Sequence, residues 1–292
     1  MTERIVTVDA AAGVELCIDE YGDSDDPTIL LIAGAASSMD LWEPELCQQL
    51  ADAGRHVIRY DHRDTGRSTT CPPGQPSYRS EDLFRDPVRL LHAIGQEQAH
   101  LVGLSMGGGI AQVVAVERPE RVLTLTLMST GAAGERADRS ELPGAEPRIA
   151  ETFADPLAAP DWSDREAVIG YLVETERPYA GSLGFDEEAA RRRNGRVVDR
   201  AHDVASAANH WSLEGDSPTF PMGAISAPTL VIHGSADPFF PLAHGEALAA
   251  EIPGARLVTL DGVGHELPPP VLWDTLVAEI AQHTSPYAGR RA

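Results

Sequence analysis

The 292-residue sequence predicts an α/β fold: a mostly parallel, doubly wound sheet interrupted by a helical insertion. Three observations lead there. Short, uninterrupted apolar runs, the pattern of parallel strands buried on both faces, alternate with segments of helical periodicity. One strand-to-helix junction, within residues 98–109, is rich in glycine. The stretch 131–221 shows no buried-strand pattern and carries only helical periodicity.

The elements follow in order. Residues 5–8 and 14–21 make an early strand pair, closed by a turn at 22–27. Residues 28–32 and 56–61 are apolar strands, 42–53 and 80–94 helices. A strand over 100–104 enters a helix at Met106, in which Ile110, Val113, Val114 and Val116 recur at near-helical spacing until Pro119 stops it. Residues 122–128 add a strand. After Pro228 come strands at 229–233 and 255–260 and a helix at 271–282, with 285–292 expected to fray. Strands that alternate with helices pair in parallel through right-handed crossovers. Within the insertion, 165–176 and 186–211 read as helices, the first with Val168, Ile169, Leu172 and Val173 on one side, and prolines 143, 147, 156, 160 and 178 interrupt the pattern.

The junction carries the chemistry. Gly103-Leu104-Ser105-Met106-Gly107 fits the Gly-x-Ser-x-Gly nucleophile elbow, in which a sharp strand-to-helix turn lifts a serine hydroxyl out of the sheet. Glycines two positions either side leave room for that strained backbone. A serine hydroxyl is a poor nucleophile at neutral pH and needs a histidine to take its proton, with an acid behind the ring. Asp237 lies just past the strand 229–233, and His265 follows the strand 255–260 on a loop flanked by glycine. Asp261 is the rival acid, but it sits only four residues before His265 on the same loop, too near to reach behind the ring easily. The chain order Ser105, Asp237, His265 is that of one triad scaffold among three.

Those three segments resemble the triad of the α/β-hydrolase superfamily. The segment Val57-Ile58-Arg59-Tyr60-Asp61-His62-Arg63-Asp64-Thr65-Gly66-Arg67-Ser68-Thr69-Thr70 resembles the corresponding loop of aclacinomycin methylesterase-like enzymes, and Glu3-Arg4-Ile5-Val6 and Pro253-Gly254-Ala255-Arg256-Leu257 also resemble that group. The resemblance implies an α/β-hydrolase fold in which residues 1–130 and 222–292 form the core and 131–221 a helical cap, or lid. It also implies removal of a methyl ester from an aromatic, anthracycline-like polyketide. A general carboxylesterase or lactonase, a carbon–carbon bond hydrolase and a cofactor-free perhydrolase share the same triad, and a non-catalytic ligand-binding protein shares the fold. Serine at position 105 argues against the relatives that need aspartate there, haloalkane dehalogenases and epoxide hydrolases.

Many relatives carry a His-Gly pair after the third strand, where this chain has Ala33-Gly34-Ala35-Ala36. Oxyanion donors are backbone groups, so the substitution need not remove them. The hole is assigned to the amides of Ala35 and Met106, with Gly34 giving the loop its freedom. Gly34, Trp211, Phe239 and Phe240 are the expected pocket residues, and Tyr171 and Tyr179 could join them. The charged cluster Asp61, His62, Arg63, Asp64 and Arg67 reads as a structural loop whose groups satisfy one another.

Composition bounds the partners. The net charge is −22, and every base is arginine. Such a field opposes contact with nucleic acid and disfavours anionic substrates, so a neutral small-molecule ester is expected. No apolar run approaches a membrane span, the first residues lack an apolar leader, and a soluble cytoplasmic protein is expected. Cys17, Cys47 and Cys71 are too few, and odd in number, for a disulfide framework. Neither metal-ligand spacing nor a phosphate-binding glycine loop occurs, so no cofactor is expected. Oligomeric state has no signature.

Overall fold

The apolar runs assemble into one eight-stranded sheet. In chain order its strands are β1 (Arg4–Asp9), β2 (Val14–Tyr21), β3 (Thr28–Ile32), β4 (His56–Tyr60), β5 (Ala99–Leu104), β6 (Val122–Met128), β7 (Thr229–Gly234) and β8 (Arg256–Leu260). Their spatial order is β1-β2-β4-β3-β5-β6-β7-β8. The computed structural model describes residues 3–216 and 218–285, so all but the first residue of the stretch expected to fray lies outside the described residues. The β1–β2 and β2–β4 pairs are antiparallel, and every pair from β4 through β3 to β8 is parallel.

Helices cover both faces, which is why the strands read as unbroken apolar runs. All five residues of β3 are buried. Ile29 and Leu31 pack with α1 (Pro44–Asp52) and α8 (Trp273–His283), through Leu46, Leu50, Leu276 and Ile280. Leu30 and Ile32 face the other way, toward Leu90 of α2 (Ser80–Ala93), Val114 of α3 (Met106–Glu117) and Leu248 of α7 (Ala243–Glu251). The edge strands β1 and β8 are correspondingly more exposed.

Between β6 and β7 lie α4 (Pro147–Ala154), α5 (Arg165–Glu176) and α6 (Glu187–Arg200). Helix α4 lies outside the helices expected from periodicity: Pro147, which interrupts the pattern, sits at the first helical position, where its missing N–H costs nothing. The helix expected over 186–211 breaks at Arg200. Asp203 then accepts a hydrogen bond from the Ala205 N–H and caps a separate 3-10 segment, Val204–Trp211. The helix expected from residue 42 starts at Pro44 for the same reason as α4, after a 3-10 turn at Met39–Leu41. Among the described residues no helix is long and apolar enough to cross a membrane.

The charged loop after β4 is structural in its contacts. Arg63 makes a two-pronged pair with Asp86 of α2, both bonds at 2.7 Å, and both side chains are buried. Asp64 accepts from the Cys71 N–H, the Tyr78 hydroxyl and the Asn209 amide. Asp61 is fully buried and accepts from the backbone N–H groups of Met39 and Arg67 and from the Arg200 guanidinium. Removing one partner of a buried pair strands the other. Asp86→Ala should therefore lower unfolding free energy by about 3–5 kcal/mol, measured as a fall in the urea midpoint at constant slope, and Arg63→Met added to it should recover part of that loss.

Candidate active site

The end of β5 turns into α3 at Ser105, whose backbone sits at φ 55°, ψ −119°. Side-chain-bearing residues rarely hold this conformation, and here both backbone groups of the serine are anchored. Its N–H donates to the Met128 carbonyl, and its own carbonyl accepts from the Thr130 hydroxyl and from the N–H groups of Gly108 and Gly109. The flanking glycines are required by contact: a Cβ on Gly103 would lie 2.2 Å from the Gly107 carbonyl oxygen, and one on Gly107 would lie 2.2 Å from that of Ile32. Helix α3 thus starts hard against β3 and β5.

Three side chains far apart in the chain meet at this turn. The His265 Nε2 is 2.9 Å from the Ser105 Oγ, and its Nδ1 is 3.0 Å from the Asp237 Oδ2. The second Asp237 oxygen accepts from the N–H groups of Phe239 and Phe240 at 2.9 and 2.8 Å, so the Asp-Pro turn also orients the carboxylate. A carboxylate only accepts, which puts a proton on Nδ1 of His265 and leaves Nε2 free to accept from the serine. Asp261 is engaged elsewhere, with the Ser235 hydroxyl. The backbone N–H of His265 donates to the Tyr179 carbonyl at 2.9 Å, and Gly264 and Gly181 pass so closely that neither has room for a Cβ. The histidine loop is therefore positioned by the segment between α5 and α6.

The loop after β3 passes beside the serine, with Gly34 stacked on Ser105. Among the described residues neither the Ala35 nor the Met106 N–H has a hydrogen-bond partner in the chain. The peptide groups on either side are pinned. His62 reaches the Ala33 carbonyl from Nε2 at 3.0 Å, and the Ala36 N–H reaches the His210 Nδ1 at 2.9 Å. Burial pushes the pKa of both histidines down, that of His62 to about 3.

Ser105 and His265 open onto a cavity of about 930 Å³. Gly34, Ala35, Phe153, Trp162, Tyr171, Tyr179, Trp211 and Phe239 line it. The rings of Phe153 and Phe239 stack at 6.1 Å, and Trp211 meets Phe153 edge to face at 5.6 Å. Phe240 departs from expectation: it packs behind His265, ring centroids 5.6 Å apart, and faces Gly131 and His244 on a separate, smaller pocket. Its ring tilts against that of Phe239 at 4.8 Å and meets His244 edge to face at 5.3 Å, so it opens on the second pocket and leaves the cavity to Phe239. Sequence reasoning passed over Phe153 and Trp162, which lie in the proline-rich stretch, and His210, whose partners are distant in the chain.

Comparison with known proteins places this arrangement. Residues 27–268 match the model of the α/β hydrolase fold family. The chain is 35% identical to rhodomycin D methylesterase DnrP of Streptomyces peucetius, over 97% of this chain and 98% of that one. It is 36% identical to rhodomycin D methylesterase DauP of Streptomyces sp. strain C5, with the same coverage. Among solved structures, a hydrolase from Pseudomonas aeruginosa PA01 superposes with a TM-score of 0.65 at 26% identity, covering 98% of this chain and 99% of that one. The chain belongs to the α/β hydrolase fold family. Within it, this protein is a carboxylic ester hydrolase similar to the two rhodomycin D methylesterases.

Two predictions follow from the local geometry. Gly107→Ala should destabilise the protein by about 3 kcal/mol through overpacking against Ile32, read from urea unfolding. Burial holds His62 at about 3 and His100 at about 4, below the ordinary 6.5. Below pH 6.5 the unfolded chain therefore binds protons that the folded chain refuses, and stability falls with pH between 6.5 and those values by up to about 1.4 kcal/mol per unit for each histidine. His62→Gln should flatten that slope in thermal or urea unfolding measured from pH 6.5 to 4.

Proposed function

We propose that this protein hydrolyses a methyl ester on a polycyclic aromatic polyketide through a Ser105-His265-Asp237 acyl-enzyme mechanism. The observation that carries the reading is the continuous hydrogen-bonded chain from Asp237 through His265 to Ser105, opening on a large cavity walled by aromatic rings. The full-length similarity to two rhodomycin D methylesterases supports the choice of a methyl ester.

In this mechanism His265 Nε2 takes the serine proton as Oγ attacks the ester carbonyl carbon. The negative charge that develops on the carbonyl oxygen is met by the N–H groups of Ala35 and Met106, and the Met106 amide stands at the positive end of the α3 dipole. As the tetrahedral species collapses, the carbon–oxygen bond to the alcohol breaks, and the imidazolium returns its proton to the leaving methoxide. Water then attacks the acyl-enzyme with the same histidine as base, releasing the acid and restoring the serine. Asp237 keeps its charge throughout and stabilises the transient imidazolium. The helical stretch 131–221 serves as the lid: it supplies Phe153, Trp162, Tyr171, Tyr179 and Trp211 to the cavity wall, where flat rings offer stacking to a flat acyl group.

The test is a set of p-nitrophenyl esters of rising chain length beside an anthracycline methyl ester. Ser105→Ala should abolish turnover of all of them, and Asp237→Asn should lower kcat by about 10⁴-fold with the fold intact. The polyketide ester should show the highest kcat/KM. Retained activity in Ser105→Ala refutes the mechanism, and a preference for short simple esters refutes the substrate while sparing the mechanism.

A further inference from the structure

We propose that His210 is a positioning residue for the oxyanion-binding loop, its unprotonated Nδ1 holding the Ala36 N–H so that the preceding peptide presents the Ala35 N–H to the reacting carbonyl. The inference rests on the reading above, in which that N–H is a donor to the oxyanion.

The loop spans only four residues after β3, and it is gripped at both ends. At the near end the His62 Nε2 meets the Ala33 carbonyl at 3.0 Å; a carbonyl only accepts, so that nitrogen carries the proton. At the far end the Ala36 N–H meets the His210 Nδ1 at 2.9 Å; an N–H only donates, so that nitrogen is bare. The other His210 nitrogen, Nε2, lies 2.8 Å from the Arg63 carbonyl and is therefore protonated. One neutral tautomer satisfies both bonds, and the ring is buried. His62 and His210 also touch, edge to face, at 5.8 Å between centroids.

The far grip bears on a strained residue. Ala36 has φ 56°, a conformation that alanine leaves readily unless held. If the Ala36 N–H were released, the backbone could relax toward negative φ and rotate the neighbouring peptide groups, Ala35 included. A donor displaced by about 1 Å from the developing charge loses much of its value. With alanine at position 33, the imidazole that holds the loop arrives from the segment Val204–Trp211, between β6 and β7. The same ring ties the loop to the chain after β4 through Arg63.

Two substitutions separate the two bonds. The Oδ1 of asparagine can stand where Nδ1 stands, so His210→Asn keeps an acceptor for Ala36 and gives up Arg63. The side-chain N–H of glutamine reaches toward the Nε2 position, so His210→Gln keeps the Arg63 bond and gives up Ala36. In the esterase assay, per folded molecule by near-ultraviolet circular dichroism, His210→Gln should lose about 10- to 100-fold in kcat with KM within about twofold. Its affinity for a trifluoromethyl ketone, which adds to the serine as a tetrahedral oxyanion, should fall in parallel. His210→Asn should keep both within about threefold of the parent. Equal behaviour of the two variants, or a loss in KM alone, overturns the proposal. Nitrogen-15 spectra of the unsubstituted protein decide the case even if a variant does not fold: position 210 should show a bare Nδ1 and a protonated Nε2, and the opposite tautomer overturns the proposal. Activity that survives Ser105→Ala would defeat the underlying mechanism instead, which is a different result from Ser105-dependent activity indifferent to His210.

Discussion

The structure depends on one strained peptide unit, the turn at Ser105. A serine at φ 55° stores of the order of 1–3 kcal/mol that the surroundings must supply. The surroundings do so by geometry: two glycines let α3 start within contact of β3 and β5, and four hydrogen bonds take both backbone groups of the serine. Once β5 and α3 are locked this way, the positions of β3 and β6 on either side follow from the parallel ladder. The loop Ala33–Ala36 leaves β3 and the Thr130 contact follows β6. The strain thus fixes its own neighbours.

A second constraint concerns charge. A net charge of −22 would push the chain apart if the acids were spread evenly, yet the arginines are placed where they hold distant segments together. Arg200, at the end of α6, contacts Glu3, Asp40 and Asp61. Arg196 contacts Glu43, and Arg193 bridges Glu43 to Glu176. The segment between β6 and β7 is therefore attached to the sheet by charged pairs on one side and by His210 and Asn209 on the other. Half-buried pairs of this kind contribute little net stability, but their geometry is specific, and a misplaced α6 would leave the buried Asp61 with backbone N–H partners and no cation.

How much of this was legible in the sequence follows from what each element needs. Strands β3 and β6 match their expected bounds to the residue: β3 is a fully buried run of β-branched residues and leucine, and β6 keeps its apolar and threonine residues buried apart from Leu123. Ser105, His265 and Asp237 were legible because strand ends and glycines mark them, and their convergence follows from parallel strands ending at one edge. The break at Arg200 escapes a periodicity argument although Asp203 signals a new cap, since helical spacing alone does not see a three-residue interruption. His210 carried no signal: its partners Ala36 and Arg63 are 174 and 147 residues away, and nothing local distinguishes a bridging imidazole from a surface one. Phe240 is off the cavity because its ring packs on His244 and Gly131, contacts that adjacency to Phe239 does not encode.

The rings around His265 join recognition to chemistry. Phe239 meets the imidazole edge to face at 5.0 Å, Phe240 lies behind it at 5.6 Å and Tyr179 stands at 5.9 Å. With Asp237 fully enclosed beneath, the histidine has apolar neighbours on its sides and one charged partner, so the attraction between carboxylate and imidazolium acts through a medium of low polarisability and counts for more than it would in water. In the proposed reaction an imidazolium in that enclosure would draw its stabilisation chiefly from Asp237, which would tie proton transfer to the geometry of that hydrogen bond. Phe239 also belongs to the cavity wall, stacked with Phe153. A flat acyl group that displaces water from those rings would complete the enclosure around the serine, so in the proposed reaction the contacts that select the substrate also strengthen the field in which its carbonyl reacts.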